Sequence, residues 1–569
     1  MHVKKWMTGA IAAAMLFTVI GCSGGNGTNE SATPGNNSET KSNGAEKPAS
    51  LEKVTFSYFN AAAAAKDINT NETTIGKMLE DQTGVNFKIE HLVGDLNTKI
   101  GTMIASNDYP DVLIPDAAID KVLDAGAFIP LNDLIEEHGP NIKKVYGPYF
   151  DQMKAADGNI YFIPFSNVVG EYVPDPSIGQ GAFWVQRRVL EEAGYPKINK
   201  LDDYFKLIED YMNKHKDEDL TGFMTLTHDW RFFATSNPPM HLEGYPNDGG
   251  VIVDMNTFEA KTYAAADSTK RWLQKLNDIN AKGMFDKASF VDNYDQYLAK
   301  MTSGKVLGFF DYGWQVGNAT NNLSDAAKAD PSKDGLRYFP LPVTFDGQKD
   351  QYLDPPSFVK NRGIGITVSA KDPVRIIQYF DNLLKEENQV LRSWGIKGET
   401  FEVNDQGRMY RTPEQIAKID ETFNEKFGFK YYSWNWPLWG NGSSFPDGNA
   451  VSPGVQPEVF QMSLTDADKA ILEKYGVKTY SEMFAAPDER PWFPAWAIPK
   501  EQGSPQQIFT TKSDEITKKY FPKLVLANPS EFEAVWAEYT GEMGKLDTEQ
   551  YEKWTTEEVK KLIDLAKAK

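Results

Sequence analysis

The chain has 569 residues, 60 Lys+Arg against 80 Asp+Glu, and a formal net charge of −20. No stripe of Lys and Arg offsets that acidity, which excludes a phosphate-backbone binder, and one cysteine in the whole chain excludes a disulfide scaffold. Aromatic residues make up 12% with 13 Trp, a surplus that implies large cores or an aromatic-lined cleft.

The N-terminus reads as a processing signal. Lys4 and Lys5 precede a short apolar run at residues 7–20, too short to span a bilayer. Val19-Ile20-Gly21-Cys22 then resembles the bacterial lipobox, in which the cysteine is acylated on sulfur before cleavage. Residues 1–21 are therefore expected to be a lipoprotein signal peptide. Residues 22–50 are expected to be an acylated Cys22 and a flexible tether, because they hold hardly an apolar side chain to offset chain entropy. This places the folded part on the extracytoplasmic face of a cell membrane, with a Gram-positive source expected.

Beyond the tether, strand and helix alternate. A strand at 54–59 is followed by a helical stripe of Ile75, Met78 and Leu79 that stops at Gly84. Val85, Phe87 and Ile89 alternate as a second strand. Leu96, Ile100, Met103 and Ile104 form a second stripe, and residues 111–114 a short buried strand. A third stripe, Ile119, Val122 and Leu123, closes at Gly126. This order predicts a mostly parallel sheet with helices on its faces. Ligands of such sheets bind beyond the carboxyl ends of the strands, which makes Asn60, Asn107, Asp108, Tyr109 and Asp116 rim candidates. Residues 186–219 read as helical, 304–310 as a strand leading into a turn at Asp311 and Trp314, and 363–368 as another strand. Helices are predicted over 372–388, 531–540 and 556–566, and an irregular Trp-rich tract over 427–445.

Five segments in order resemble the extracellular solute-binding proteins of ABC importers, in the large lipoprotein branch of family 1 associated with oligosaccharide uptake. They are ASNDYPDV at 105–112, GAFIPLNDLI at 126–135, DGNIYFIP at 157–164, FWVQRRVLEEAG at 183–194 and WGIKGETFEVNDQGR at 394–408. The resemblance implies an α/β, two-lobed periplasmic-binding-protein fold of type II. Parallel-rich sheets flanked by helices would form the lobes, with hinge strands between them. The first lobe is expected at about 51–165 plus 304–368, and the second at about 166–303 plus 369–569. It also implies a monomer that hands a carbohydrate, an oligosaccharide by expectation, to ABC permease subunits. Alginate-binding relatives carry a calcium loop. Here the equivalent place, 213–219, reads NKHKDED without the early oxygen ligands, so no metal is expected there, and no cofactor.

Catalytic signatures are absent: no His-Glu-x-x-His, no Gly-x-Ser-x-Gly and no P-loop occur, and the six histidines are scattered. Carboxylates beside aromatics leave an envelope glycoside hydrolase or lyase as the rival class, and a peptide-binding import lipoprotein as the rival ligand. Sugar rings offer a flat C–H face to Trp and Tyr while carboxylates, amides and Arg take the hydroxyls. On that chemistry the expected ligand-binding residues are Trp314, Asp311, Arg231, Trp230, Trp184, Asn60, Asp108, Trp434 and Trp436.

Overall fold

The alternating strand pattern builds a six-stranded sheet from Val54–Asn60, Ile68–Asn69, Val85–His91, Val112–Ile114, Ile163–Ser166 and Val359–Ile366. This computed structural model describes residues 52–567, apart from 63–64, 355–357, 434 and 488–493. Cys22, the tether and Trp434 lie outside the described residues. The 54–60 strand pairs in parallel with both 85–91 and 112–114, as the alternation predicts, and 359–366 runs antiparallel between 112–114 and 163–166. Thr73 caps the Thr74–Thr83 helix by accepting the Gly76 N–H, and Gly84 ends it at φ +70°, a left-handed position that glycine adopts without strain. Ile75 and Leu79 of that helix are buried while Met78 is exposed, so the core-facing stripe is narrower than the sequence implies.

A second, four-stranded sheet has the order 338–341, 181–186, 306–312, 221–224. The 306–312 strand is buried along its whole length, antiparallel to 181–186 and parallel to 221–224. Each sheet has its own apolar core, and the chain crosses between them three times. It leaves the first sheet after Ser166, returns before Val359, and crosses again where Val459 packs in the first core and Phe460 in the second. The lobe boundaries therefore differ from expectation. Residues 306–341 belong to the second sheet because 306–312 pairs with 181–186, whereas Ile376, Trp394 and Trp436 fill the first core.

Three further differences have local causes. The strand at 306–312 passes directly into the helix Gly313–Ala329 without a turn. The stretch 372–388 divides into Pro373–Leu383 and Glu386–Ser393. A 22-residue helix at Pro505–Leu526 has no counterpart among the predicted elements; Pro522 within it reads as a breaker, yet tertiary packing of Phe521, Leu524 and Val525 keeps the helix running. The C-terminal helix Thr548–Lys567 packs with Val251 and Val253 in a smaller core.

One buried charge cluster joins distant parts of the second lobe. Arg187, at the end of strand 181–186, bonds Asp468 at 2.5 Å and Asp334 at 3.2 Å, while Arg337 meets Asp468 at 2.8 Å and the Tyr480 hydroxyl donates to it at 2.7 Å. Burial acts to raise the Asp468 carboxyl, but Arg187 and Arg337 overcome it and hold the group well below the usual carboxylate range. Removing one partner leaves buried cations uncompensated. Asp468→Asn is expected to cost about 3–5 kcal/mol at neutral pH in urea unfolding. Because the folded carboxyl is depressed, the stabilisation is present above the ordinary value of about 4 and fades as pH falls below it. A loss under about 1 kcal/mol would contradict this assignment.

Candidate functional site

Two parallel neighbours of the second sheet, 221–224 and 306–312, end on the same edge, and the residues following each carry the exposed aromatics. Trp230 is 59% exposed and Trp314 57%, although both are large apolar rings. Their planes are parallel within 4° with centroids 6.1 Å apart, and Phe233 lies 5.7 Å from one and 5.9 Å from the other. Beside them the Arg231 guanidinium sits 4.6 Å over the Trp230 ring and 4.2 Å over Tyr294. Asp229 fixes it, Oδ2 accepting from Nη1 at 2.7 Å and Oδ1 from the Arg231 backbone N–H at 3.1 Å. Flat rings plus a fixed fork of N–H donors suit a ligand with apolar faces and hydroxyl edges.

Gly313 decides where Trp314 stands. Its N–H donates to the Gln180 carbonyl at 3.0 Å and that of Trp314 to Gly179 at 3.1 Å. A Cβ at residue 313 would fall 1.7 Å from the Ile178 carbonyl oxygen, so only glycine permits this approach. The helix thus starts against the crossing segment and its second residue projects outward.

Beneath the rings Asp311 is wholly buried and surrounded by donors. It accepts from Gln315 Nε2 at 2.8 Å to each oxygen, from the Tyr297 hydroxyl at 2.9 Å and from the Tyr312 N–H at 2.7 Å. Burial pushes its carboxyl up to about 6 in spite of those bonds. The Gln315 backbone carbonyl accepts from the Tyr294 hydroxyl, which ties the ring under Arg231 to the same helix turn whose side chain bonds Asp311. Nearby, the Tyr312 hydroxyl bonds Asn237 at 3.0 Å and buried His241 at 3.1 Å, and desolvation lowers the His241 imidazole to about 3.

A polar chain leads from this edge to the first lobe. Lys518 donates to the Asp229 carbonyl at 3.2 Å, and the charges of Lys518 and Lys500 both act on Asp514. The Lys500 backbone bonds Asp120, on the first lobe's Ile119–Asp124 helix, while Arg362 holds Asp116 at 2.6 Å. Asp514 is exposed, yet its walls desolvate it and raise its carboxyl.

The structure separates the expected residues sharply. It brings Trp314, Trp230 and Arg231 together on one lobe, not across two, with Asp311 below rather than beside them. Trp184 is a core residue: its Nε1 donates to the Asp311 carbonyl at 3.0 Å and its ring lies along Phe309. Trp436 is buried too, stacked on Tyr432 at 5.3 Å, with Nε1 bonded to the Tyr431 carbonyl. Asn60 is at the carboxyl end of its strand as expected, but is buried and accepts the Ala62 N–H at 2.9 Å. Asp108 is exposed at the amino end of strand 112–114, opposite the edge where Asn60 and Asp116 lie, because helix-to-strand connections fall at that end of a parallel sheet.

Sequence reasoning missed Tyr294, Gln315, Phe233 and the support role of Asp229. Only Asp229, within an Asp-Trp-Arg run, carries a visible signal. At the place equivalent to the relatives' calcium loop, His215 lies 2.6 Å from Glu192 and 3.0 Å from Glu218, Arg188 bonds Glu218 and Lys305 bonds Asp219. Among the described residues no cluster of three or more His, Cys, Asp or Glu is placed to hold a metal.

Residues 74–391 match the family described as bacterial extracellular solute-binding protein. The fructooligosaccharide ABC transporter substrate-binding protein FusA of Streptococcus pneumoniae is 25% identical over 457 residues, 78% of this chain and 75% of that protein. Lipoprotein LipO of Bacillus subtilis is 22% identical over 431 residues, 71% of this chain and 74% of that one. Among solved structures, FusA in complex with kestose has a TM-score of 0.62 at 17% identity, covering 90% of this chain and 99% of that one. The alginate-binding protein AlgQ2 without calcium ion has a TM-score of 0.61 at 18% identity, covering 90% and 98%. The structural likenesses carry the fold, and the family match spans more than half the chain: the protein belongs to the bacterial extracellular solute-binding proteins and has their mixed α/β, periplasmic-binding-protein-like architecture.

Proposed function

We propose that this protein captures an oligosaccharide on the Trp230–Trp314 edge, between its two lobes, and delivers it to the permease subunits of an ABC importer. The observation that carries the reading is the pair of parallel, exposed tryptophans beside a ring-clamped arginine. Large apolar rings are costly to leave in water, and a sugar face covers them. The oligosaccharide transport named for FusA, at 25% identity, supports the same ligand class. The protein acts as a monomer by binding and release, without turnover. Its anchor is Cys22, acylated at the membrane's outer face; the lipoprotein name of LipO is consistent with that.

Ligand closure of two lobes is a hinge motion about the crossing segments. An oligosaccharide panel read by thermal shift identifies the ligand, since binding to the folded state alone raises stability by about 2.7 kcal/mol at a hundred times Kd. Catalytic turnover of a bound glycan would overturn the reading in favour of an envelope hydrolase or lyase, and a response to peptides alone in favour of peptide import.

For the ligand so identified, Trp314→Ala is expected to weaken binding by one to two orders of magnitude, about 1.4 kcal/mol for each tenfold, with little change in unfolding midpoint. Trp184→Ala should instead destabilise the fold by about 3–5 kcal/mol, as core aromatics do. Calorimetry and urea unfolding on both variants check the pair; unchanged affinity in Trp314→Ala would remove the platform.

Asp311 makes stability pH-dependent. Its raised carboxyl binds a proton in the folded state between the ordinary value of 3.8 and about 6, so its contribution to stability falls as pH rises through that window. His241 opposes it: the folded imidazole stays neutral to about 3, so stability falls as pH drops below the ordinary 6.5. The difference between wild type and Asp311→Asn isolates the first. The variant should gain on wild type from about pH 4 to about pH 6 and hold level above; a difference independent of pH would contradict this. Finally, Cys22→Ser should be found in the medium or unprocessed in cell fractionation, with unchanged ligand affinity. Retention of a fully processed Cys22→Ser protein in the membrane would show that Cys22 is not the anchor.

A further inference from the structure

We infer that Asp229 makes this site select uncharged oligosaccharides over acidic ones, by holding the Arg231 guanidinium neutralised at the edge of the tryptophan pair. The inference rests on the proposed carbohydrate reading and adds the charge class of the ligand. A guanidinium beside two exposed rings would otherwise be the natural seat for a sugar carboxylate, since arginine binds carboxylates through paired N–H donors. In this chain that seat is taken. Asp229 reaches Nη1 at 2.7 Å, and the arginine side chain is only 20% exposed against 38% for its carboxylate partner. The carboxylate, not the cation, is the more open charge.

The backbone is bent to keep it there. Asp229 has φ +51°, a left-handed conformation uncommon outside glycine and best tolerated by Asn and Asp. Three contacts impose it. The carboxylate folds back onto the Arg231 N–H at 3.1 Å, Lys518 clamps the Asp229 carbonyl at 3.2 Å, and His228 Nδ1 lies 3.1 Å from Oδ2. The next cations along the cleft are matched in the same way: Lys518 and Lys500 face Asp514, and Arg362 holds Asp116 at 2.6 Å.

An acidic sugar entering here must compete with Asp229 for the guanidinium. It also places its charge near Asp229 and Asp514, on a chain whose net charge of −20 already repels polyanions. A neutral sugar meets no such opposition. Its hydroxyls accept from the guanidinium N–H groups that Asp229 leaves unused and donate to the open carboxylate oxygens. Discrimination then comes from a repulsive element as well as an attractive one.

The test is isothermal calorimetry at neutral pH with neutral trisaccharides (kestose, maltotriose) and acidic ones (trigalacturonate, an alginate trimer). It uses wild type, Asp229→Asn, and Asp229→Asn in an Arg231→Gln background. Asparagine tolerates positive φ, so the variant keeps the loop while losing the charge. Wild type should bind a neutral probe at least ten times more tightly than either acidic probe. Asp229→Asn should shrink that ratio about tenfold or more by gaining affinity for the acidic probe, and the gain should vanish in the double variant. Tighter binding of an acidic probe by wild type, or a ratio that Asp229→Asn leaves unchanged, or a gain that survives without Arg231, each overturns the inference while leaving the carbohydrate reading in place. Binding of no saccharide by the folded wild-type protein would overturn both.

Discussion

The close approach of Gly313 to the Ile178 carbonyl is the constraint on which the site depends. A chain leaving the end of a buried strand is normally free to turn in several directions. Here two backbone hydrogen bonds to Gly179 and Gln180 seize it at residues 313 and 314, and no side chain larger than hydrogen fits at the first of them. The helix therefore begins at one place only. Trp314 is carried outward while Asp311, three residues earlier, is carried inward among Tyr297, Gln315 and Tyr312. The exposed ring and the buried carboxylate are two consequences of one packing contact between the second sheet and a crossing segment.

Rigidity is distributed accordingly. The floor of the site is set by buried hydrogen bonds: Asp311 to Gln315, Gln315 to Tyr294, and Tyr294 under Arg231. Such bonds are costly to leave unmade in a dry interior, so they hold the rings without help from ligand. The walls are different. Lys500, Asp514 and Asp120 meet across the lobes through charges that still reach water, where interactions are weaker and screened by salt.

Much of the architecture is legible from periodicity. The parallel order of 54–60, 85–91 and 112–114 follows from alternating strands and helical stripes punctuated by Gly84 and Gly126. Strand pairing over long sequence separations is not legible, which is why the expected lobe boundaries group 304–368 with the first lobe although 306–312 pairs with 181–186: local pattern marks a strand but not its partner. The site is legible in part. Trp314 stands out because it follows a predicted strand at the ligand edge, and Trp230 and Arg231 because an aromatic ring and a cation adjoin in one run. Trp184 and Trp436 mislead because a tryptophan's exposure depends on whether its N–H finds an internal acceptor, here the carbonyls of Asp311 and Tyr431. Asp108 misleads because a run of rim-like polar residues does not disclose which end of the sheet it occupies. The positive φ of Asp229 has no sequence signal at all beyond the residue type.

The family's architecture supports many ligands, so the chemistry that matters is local to this edge. The most direct test of the account is a crystal structure of the protein with the neutral oligosaccharide that binds it. A sugar ring should lie flat on the Trp230–Trp314 pair at van der Waals contact, about 4 Å, with hydroxyls on Arg231 and Asp229 and with Asp311 still buried beneath. A saccharide bound elsewhere on the protein, with both tryptophans still open to solvent, would contradict it.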